Sequence, residues 1–228
     1  MSVEVNGFLV AAHELKAPLC LMRQLTLALA LAPDPATQSR LQRQLVEVSD
    51  RALREVEDLT KISRLEDGLF DLEPVSVRGV CDEVMRELAP LFGFSQKTLG
   101  LSYHNKSRLA VANRDLLRSI VYNFCVNALR YSENGTCSQL SISDHTDKIR
   151  IGVRDFGPAL PTRIWRELQS GRLATPASIA MRPGSSGLGL FIASEFAYYM
   201  HSKIGAVRHR DGTSFFVDLP VSQQMSLI

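Results

Sequence analysis

Ala12-His13-Glu14-Leu15-Lys16-Ala17-Pro18-Leu19 sets a histidine beside a glutamate on what its apolar spacing marks as an amphipathic helix. Around it Phe8, Ala12, Leu15, Leu19, Met22, Thr26 and Leu29 recur at alternating steps of four and three, the period of a helix seam packed in a bundle. His13 falls just off that seam. A single histidine beside an apolar face is more often structural than reactive, so the chemistry of His13 depends on the rest of the chain.

The segment Ala32-Pro33-Asp34-Pro35-Ala36 is expected to be a connector, because two prolines flanking an aspartate interrupt a helix and its shortness makes the neighbouring helices antiparallel. A second helix follows. Leu41, Leu45, Val48, Ala52, Val56, Leu59, Ile62 and Leu65 mark one face, and Arg40, Arg43, Glu47, Arg51, Arg54, Glu55 and Glu57 the other, with Asp67-Gly68 as the stop. A lone hairpin cannot cover its seam, so residues 1–68 are expected to form a dimerisation hairpin that completes a four-helix bundle with a second copy of the chain.

From Leu69 the pattern changes. Leu72–Val77, Gly100–Tyr103, Gln139–Ser143, Lys148–Arg154 and Ser214–Leu219 read as strands, and Val80–Phe94, Asp115–Tyr131 and Gly189–Met200 as helices. The expected fold class is α+β: a helical hairpin followed, over residues 69–228, by an α/β sandwich with helices on one side of a mixed sheet.

With 228 residues, 45% hydrophobic and 22% charged, the chain can bury one or two cores and is not disordered in character. The net charge of +2 supplies no global basic field, which argues against nucleic acid as a partner. Cys20, Cys81, Cys125 and Cys137 form no C-x-x-C pair, so a reduced, cytoplasmic setting is expected. No apolar run approaches the roughly 20 residues of a membrane span, and the first residues lack the basic and apolar regions of a signal peptide.

Three stretches of the second part carry chemistry. In the helix Leu117–Tyr131, Asn123 and Asn127 lie four apart on one face of an otherwise apolar helix. Amide oxygens are hard ligands suited to Mg²⁺, and Arg130 just beyond can meet phosphate, although asparagines also bridge neighbouring elements. Asp155-Phe156-Gly157 ends a strand with a carboxylate able to accept a hydrogen bond from an exocyclic amino group; an ordinary turn has the same composition. Pro183-Gly184-Ser185-Ser186-Gly187-Leu188-Gly189-Leu190 leads into a helix, where backbone N–H groups can surround phosphate with no Cβ in the way, although a flexible linker ending in a helix start has the same composition.

In this order the stretches resemble the catalytic core of a bacterial sensor histidine kinase, a dimerisation hairpin followed by the ATP-binding domain shared with gyrase-type ATPases. His13-Glu14-x-x-x-Pro18-Leu19 looks like the family's H-box, Asn123-x-x-x-Asn127-Ala128 with Arg130-Tyr131 like its N-box, Asp155-x-Gly157 like the first glycine box, and Gly187-Leu188-Gly189-Leu190 like the second. Asp211-Gly212-Thr213-Ser214-Phe215 resembles the last box, whose threonine helps hold adenine. The resemblance implies ATP and Mg²⁺ as cofactors, His13 as phosphoacceptor, Glu14 as its acid–base partner, Asn127 with Asn123 as Mg²⁺ ligands and Asp155 as adenine reader. It also implies nucleotide contacts from Arg130, Tyr131, Gly157, Gly184, Ser185, Ser186, the second glycine box and Thr213, and a lid between Thr162 and Ser186. The implied partners are a second copy and the receiver domain of a response regulator, with a membrane reached only through a sensor segment absent from this chain.

The chain departs from that pattern in places. Ala17 occupies the position four after the histidine, where a threonine or asparagine usually orients water, so little phosphatase activity is expected. Pro158-Ala159-Leu160-Pro161 replaces the second glycine of the first box and stiffens the lid entrance. Only 12 residues precede His13, so an excised core is expected. Two other readings are open on the residues alone: a nucleotide-binding dimeric signalling scaffold without transfer, and a gyrase-like ATPase, against which the amide of Asn123 speaks because water activation needs a carboxylate.

Overall fold

The computed structural model describes the backbone of residues 2–104, 108–169 and 187–223, and side chains for 15–103, 108–169 and 187–223. The side chains of His13 and Glu14, and all of Gly184, Ser185 and Ser186, lie outside the described residues.

Two long antiparallel helices open the chain, α1 (Ser2–Ala30) and α2 (Pro35–Ser63). The connector is shorter than the sequence suggests, because Pro35 is the first residue of α2 and not a breaker. Proline suits a helix start, where its missing N–H costs nothing, and Asp34 caps it: Oδ1 accepts from the Thr37 N–H at 2.8 Å and Oδ2 from the Thr37 hydroxyl at 2.7 Å. At the other end α2 stops at Ser63 rather than Asp67. A 3₁₀ turn over Leu65–Asp67 follows, and Gly68 closes it with φ 66°.

The remaining elements are β1 (Glu73–Val75), α3 (Val77–Phe94), β2 (Thr98–His104), β3 (Ala110–Ala112), α4 (Arg114–Tyr131), β4 (Cys137–Asp144) and β5 (Lys148–Asp155). They are followed by α5 (Thr162–Gln169), α6 (Leu188–Tyr199), β6 (Lys203–His209) and β7 (Gly212–Pro220). Five strands form a mixed sheet in the order β2-β4-β5-β7-β6, in which only β2 and β4 run parallel, and β1 pairs with β3 as a separate antiparallel ribbon. The first strand is shorter than expected and α3 begins earlier, since Ser76 accepts a hydrogen bond from the Gly79 N–H and starts the helix at Val77. The short strand β3, β6 and helix α5 are additions to the sequence-based assignment.

One core joins the sheet to its helices. Val84 and Leu88 of α3, Leu117, Ile120 and Phe124 of α4, and Ile192 and Phe196 of α6 are fully buried against Leu140, Ile151, Val153, Val217 and Leu219 of the strands. Each such side chain contributes about 1.5–3 kcal/mol of apolar burial. The hairpin is different: Leu19, Leu27, Leu31, Val46, Leu53 and Val56 are exposed on it. Among the described residues no helix is long and apolar enough to cross a membrane.

The C-terminal half of α2 lies along α4 through polar groups. Asp58 Oδ1 accepts from the Ser119 hydroxyl at 2.8 Å and from Lys61 Nζ at 3.0 Å, and the Arg54 guanidinium covers the Tyr122 ring at 4.7 Å while donating to Glu87 of α3 at 2.6 Å. The charged face of α2 is therefore a packing face in this half of the helix.

Candidate functional site

Helix α4 carries the first wall of the site. Asn113 caps it, its side chain accepting from the Asp115 and Leu116 N–H groups, and Lys97 Nζ donates to the Leu129 carbonyl at 2.7 Å in its last turn. Burial lowers the pKa of that lysine below its ordinary value. With one side of α4 anchored in the core, the other presents Asn123, Asn127, Arg130 and Tyr131 at steps of four, three and one, and all four line an open cleft.

The facing wall is the start of α6. Gly187 precedes the helix at φ 73°, a left-handed conformation that glycine adopts without strain. Gly187, Gly189 and Leu190 line the cleft, and the approach to α4 is tight enough that a Cβ on Gly189 would lie 2.7 Å from Asn123 Oδ1. Asn123 Nδ2 donates to the Ser119 carbonyl at 3.0 Å, which leaves its oxygen directed at that glycine. Leu160, Ile164 and Phe215 supply an apolar lining, with Phe215 stacked on Phe124 at 6.0 Å.

Asp155 and Thr213 do not line the cleft. They are buried together where β5 ends and β7 begins: Asp155 Oδ1 accepts from the Thr213 N–H at 3.2 Å and from the Gly157 N–H at 3.1 Å. Gly157 in turn presses on the last residue of α4, since a Cβ there would be 2.2 Å from the Tyr131 carbonyl oxygen. Ser132 reinforces the join, its Oγ accepting from the Phe156 N–H at 3.1 Å. The carboxylate thus adjoins the cleft through Gly157 and Tyr131.

Two amide oxygens, a cation at Arg130, a glycine-bearing helix start and an adjoining buried carboxylate suit an anionic ligand that also carries hydrogen-bond donors, with room for a hard cation at the asparagines. The glycine cradle against Asn123 fits a phosphate chain, since it lets the α6 backbone come within contact of the asparagine-bearing face of α4. Arg51 and Glu55 of α2, Leu160, Ile164 and Phe215 also line the cleft, and sequence periodicity alone gives them no distinguishing mark.

Residues 112–223 match the family described as histidine kinase-, DNA gyrase B-, and HSP90-like ATPase. The signal transduction histidine-protein kinase BarA of Escherichia coli K12 is 30% identical over 205 residues, 85% of this chain and 22% of BarA. The sensor protein SphS of Synechococcus elongatus is 31% identical over 228 residues, 95% of this chain and 54% of SphS. The chain therefore spans between about a fifth and about half of these relatives. In fold it is similar to the histidine kinase AdeS of Acinetobacter baumannii, with a TM-score of 0.65 at 18% identity, covering 92% of this chain and 98% of that one. Motif order, cleft geometry and these likenesses support a bacterial sensor histidine kinase catalytic core, and residues 112–223 belong to the histidine kinase-, DNA gyrase B-, and HSP90-like ATPase family.

Proposed function

We propose that this chain is an ATP-dependent protein histidine kinase that phosphorylates itself on His13 and passes the phosphoryl group to an aspartate of a response regulator in two-component signalling. The observation that carries this is the shared cleft: one face of α4 with Asn123, Asn127, Arg130 and Tyr131 opens opposite the glycine-bearing start of α6. Relatives of the same architecture support it, among them histidine kinase ThkA, solved in complex with the response regulator TrrA, and ShkA, solved in complex with AMPPNP.

In this reading residues 1–68 are the phosphoacceptor and dimerisation unit and residues 69–228 the catalytic one, joined at Gly68. Asn127, with Asn123 beside it, would hold Mg²⁺, which when bound neutralises charge on the triphosphate. Arg130, Tyr131 and Gly157 contact the nucleotide, Gly187, Leu188, Gly189 and Leu190 surround its phosphates, and Asp155 with Thr213 selects adenine. Gly184, Ser185 and Ser186 belong to the same loop by sequence. Transfer forms a bond between an imidazole nitrogen of His13 and the γ-phosphorus as the bond to the ADP oxygen breaks, and Glu14 takes the proton from the other ring nitrogen.

The exposed Leu19, Leu27, Leu31, Leu53 and Val56 support a second copy as the cover of the hairpin. We place the chain on the cytoplasmic side, as part of a membrane-bound sensor. Calorimetric titration with Mg-ATP tests the site: Asn127→Ala should weaken binding more than Asn127→Asp, because a carboxylate still ligates the metal. Equal affinity of wild type and Asn127→Ala would remove Asn127 from it.

A further inference from the structure

Two of the cleft's charged side chains come from the hairpin. Arg51 and Glu55, one turn apart on α2, line the cleft with Asn123, Asn127 and Arg130. They are paired to each other, Arg51 Nε donating to Glu55 Oε1 at 2.9 Å. The alignment of the two helices puts them there. Asp58 meets Ser119 and Arg54 meets Tyr122, so α2 and α4 run in opposite directions, and the next turn back along α2 falls opposite Asn123 and Asn127.

The charges at this rim are unevenly matched. Arg51 and Arg130 bring two positive charges to the lining and Glu55 one negative charge. The Glu55 side chain is only 12% exposed, and its Oε2 has no hydrogen-bond partner among the described residues, so Arg51 alone balances a carboxylate largely removed from water. A triphosphate offers the same guanidinium a more highly charged, bidentate acceptor. Arg51 shares the cleft lining with Asn123 and Asn127, the proposed Mg²⁺ ligands, whereas Asp155, the proposed partner of adenine, does not line it, so the guanidinium stands on the phosphate side of the proposed site.

We infer that Arg51 is a binding residue for the terminal phosphate of the nucleotide, contributed to the catalytic cleft by the hairpin, and that Glu55 is the counter-ion it leaves when that phosphate arrives. This rests on the nucleotide reading of the cleft. It makes the hairpin sensitive to ATP as distinct from ADP, since only the triphosphate competes with Glu55 for the guanidinium.

The test is calorimetric titration of the whole chain with ATP and with ADP, each with Mg²⁺. Arg51→Met should weaken ATP binding about tenfold or more, the range for losing a charge-assisted bond, and ADP binding by much less, so that the preference for ATP shrinks. Arg51→Lys should restore part of it. Glu55→Gln should tighten ATP binding, because the competing charge is gone. An unchanged ATP affinity in Arg51→Met would overturn the inference, as would an equal loss for ATP and ADP, which marks a structural role. Weaker ATP binding by Glu55→Gln would also overturn it, by making the carboxylate a ligand instead of a counter-ion. A wild-type chain that binds neither nucleotide would remove the nucleotide reading itself and this inference with it, whereas wild-type binding with an indifferent Arg51→Met removes only the role of Arg51.

Discussion

Gly189 at the start of α6 lies so close to Asn123 of α4 that a Cβ on the glycine would fall 2.7 Å from the asparagine's Oδ1. The start of α6 and the asparagine-bearing face of α4, proposed to meet phosphate and metal, are thereby held close together. Real Cβ atoms do not approach oxygen that closely, so a side chain at 189 must push the amide aside.

Gly189→Ala should consequently lower Mg-ATP affinity about tenfold or more while leaving the fold standing, because the atom displaced belongs to a half-exposed side chain and relaxation there costs about 1–3 kcal/mol at most. Calorimetric titration and a thermal melt of the same preparation check this. Binding at wild-type strength would show that Asn123 is not held in place by the glycine.

A second expectation concerns Asp155, whose Oδ1 accepts from the backbone of both Gly157 and Thr213. Asp155→Asn keeps an acceptor for those two amides but replaces the other carboxylate oxygen with a donor, which repels the amino group of adenine. Nucleotide binding should fall by two orders of magnitude or so, on the scale of a buried bond to a charged group lost and a donor left unmatched, with the melting temperature nearly kept. Asp155→Ala should lose both binding and stability. Equal binding by wild type and Asp155→Asn would remove the carboxylate from base recognition.

These two relationships also show where sequence was informative. The spacing of Asn123, Asn127, Arg130 and Tyr131 follows the helix period, and the structure puts all four on one cleft wall because that period alone decides the face. The alternation in Lys148–Asp155 likewise identifies its strand. By contrast β3, Ala110–Ala112, is three residues long and pairs with β1 across a separation no local pattern records. β6 contains Gly205, which lies beneath the Phe216 ring and breaks the alternation that marks a strand. The packing roles of Arg54 and Asp58 on α2 leave no mark in the sequence because their partners, Glu87 and Ser119, lie 33 and 61 residues further on, and only the folded chain brings them together. For the same reason Arg51 and Glu55 were invisible as cleft residues.

Ala17 carries a third prediction. It is one helical turn beyond His13 on α1 and exposed, and its methyl cannot hydrogen-bond a water for attack on a phosphoaspartate. The wild type should therefore barely accelerate decay of a phosphorylated response regulator in the presence of ADP, and Ala17→Thr should accelerate it measurably with autophosphorylation unchanged. Decay as fast with wild type as with the threonine variant would mean that another residue positions the water.

Incubation of the chain with γ-labelled ATP and Mg²⁺, followed by acid and base treatment and mapping of the label, tests the central claim most directly. The account predicts one acid-labile, base-stable phosphoryl group on His13, transferable to a receiver domain, and no label on His13→Ala, which should still bind ATP because none of the described residues lining the cleft belongs to α1. Label retained by His13→Ala, or release of free phosphate with no labelled histidine, would contradict it.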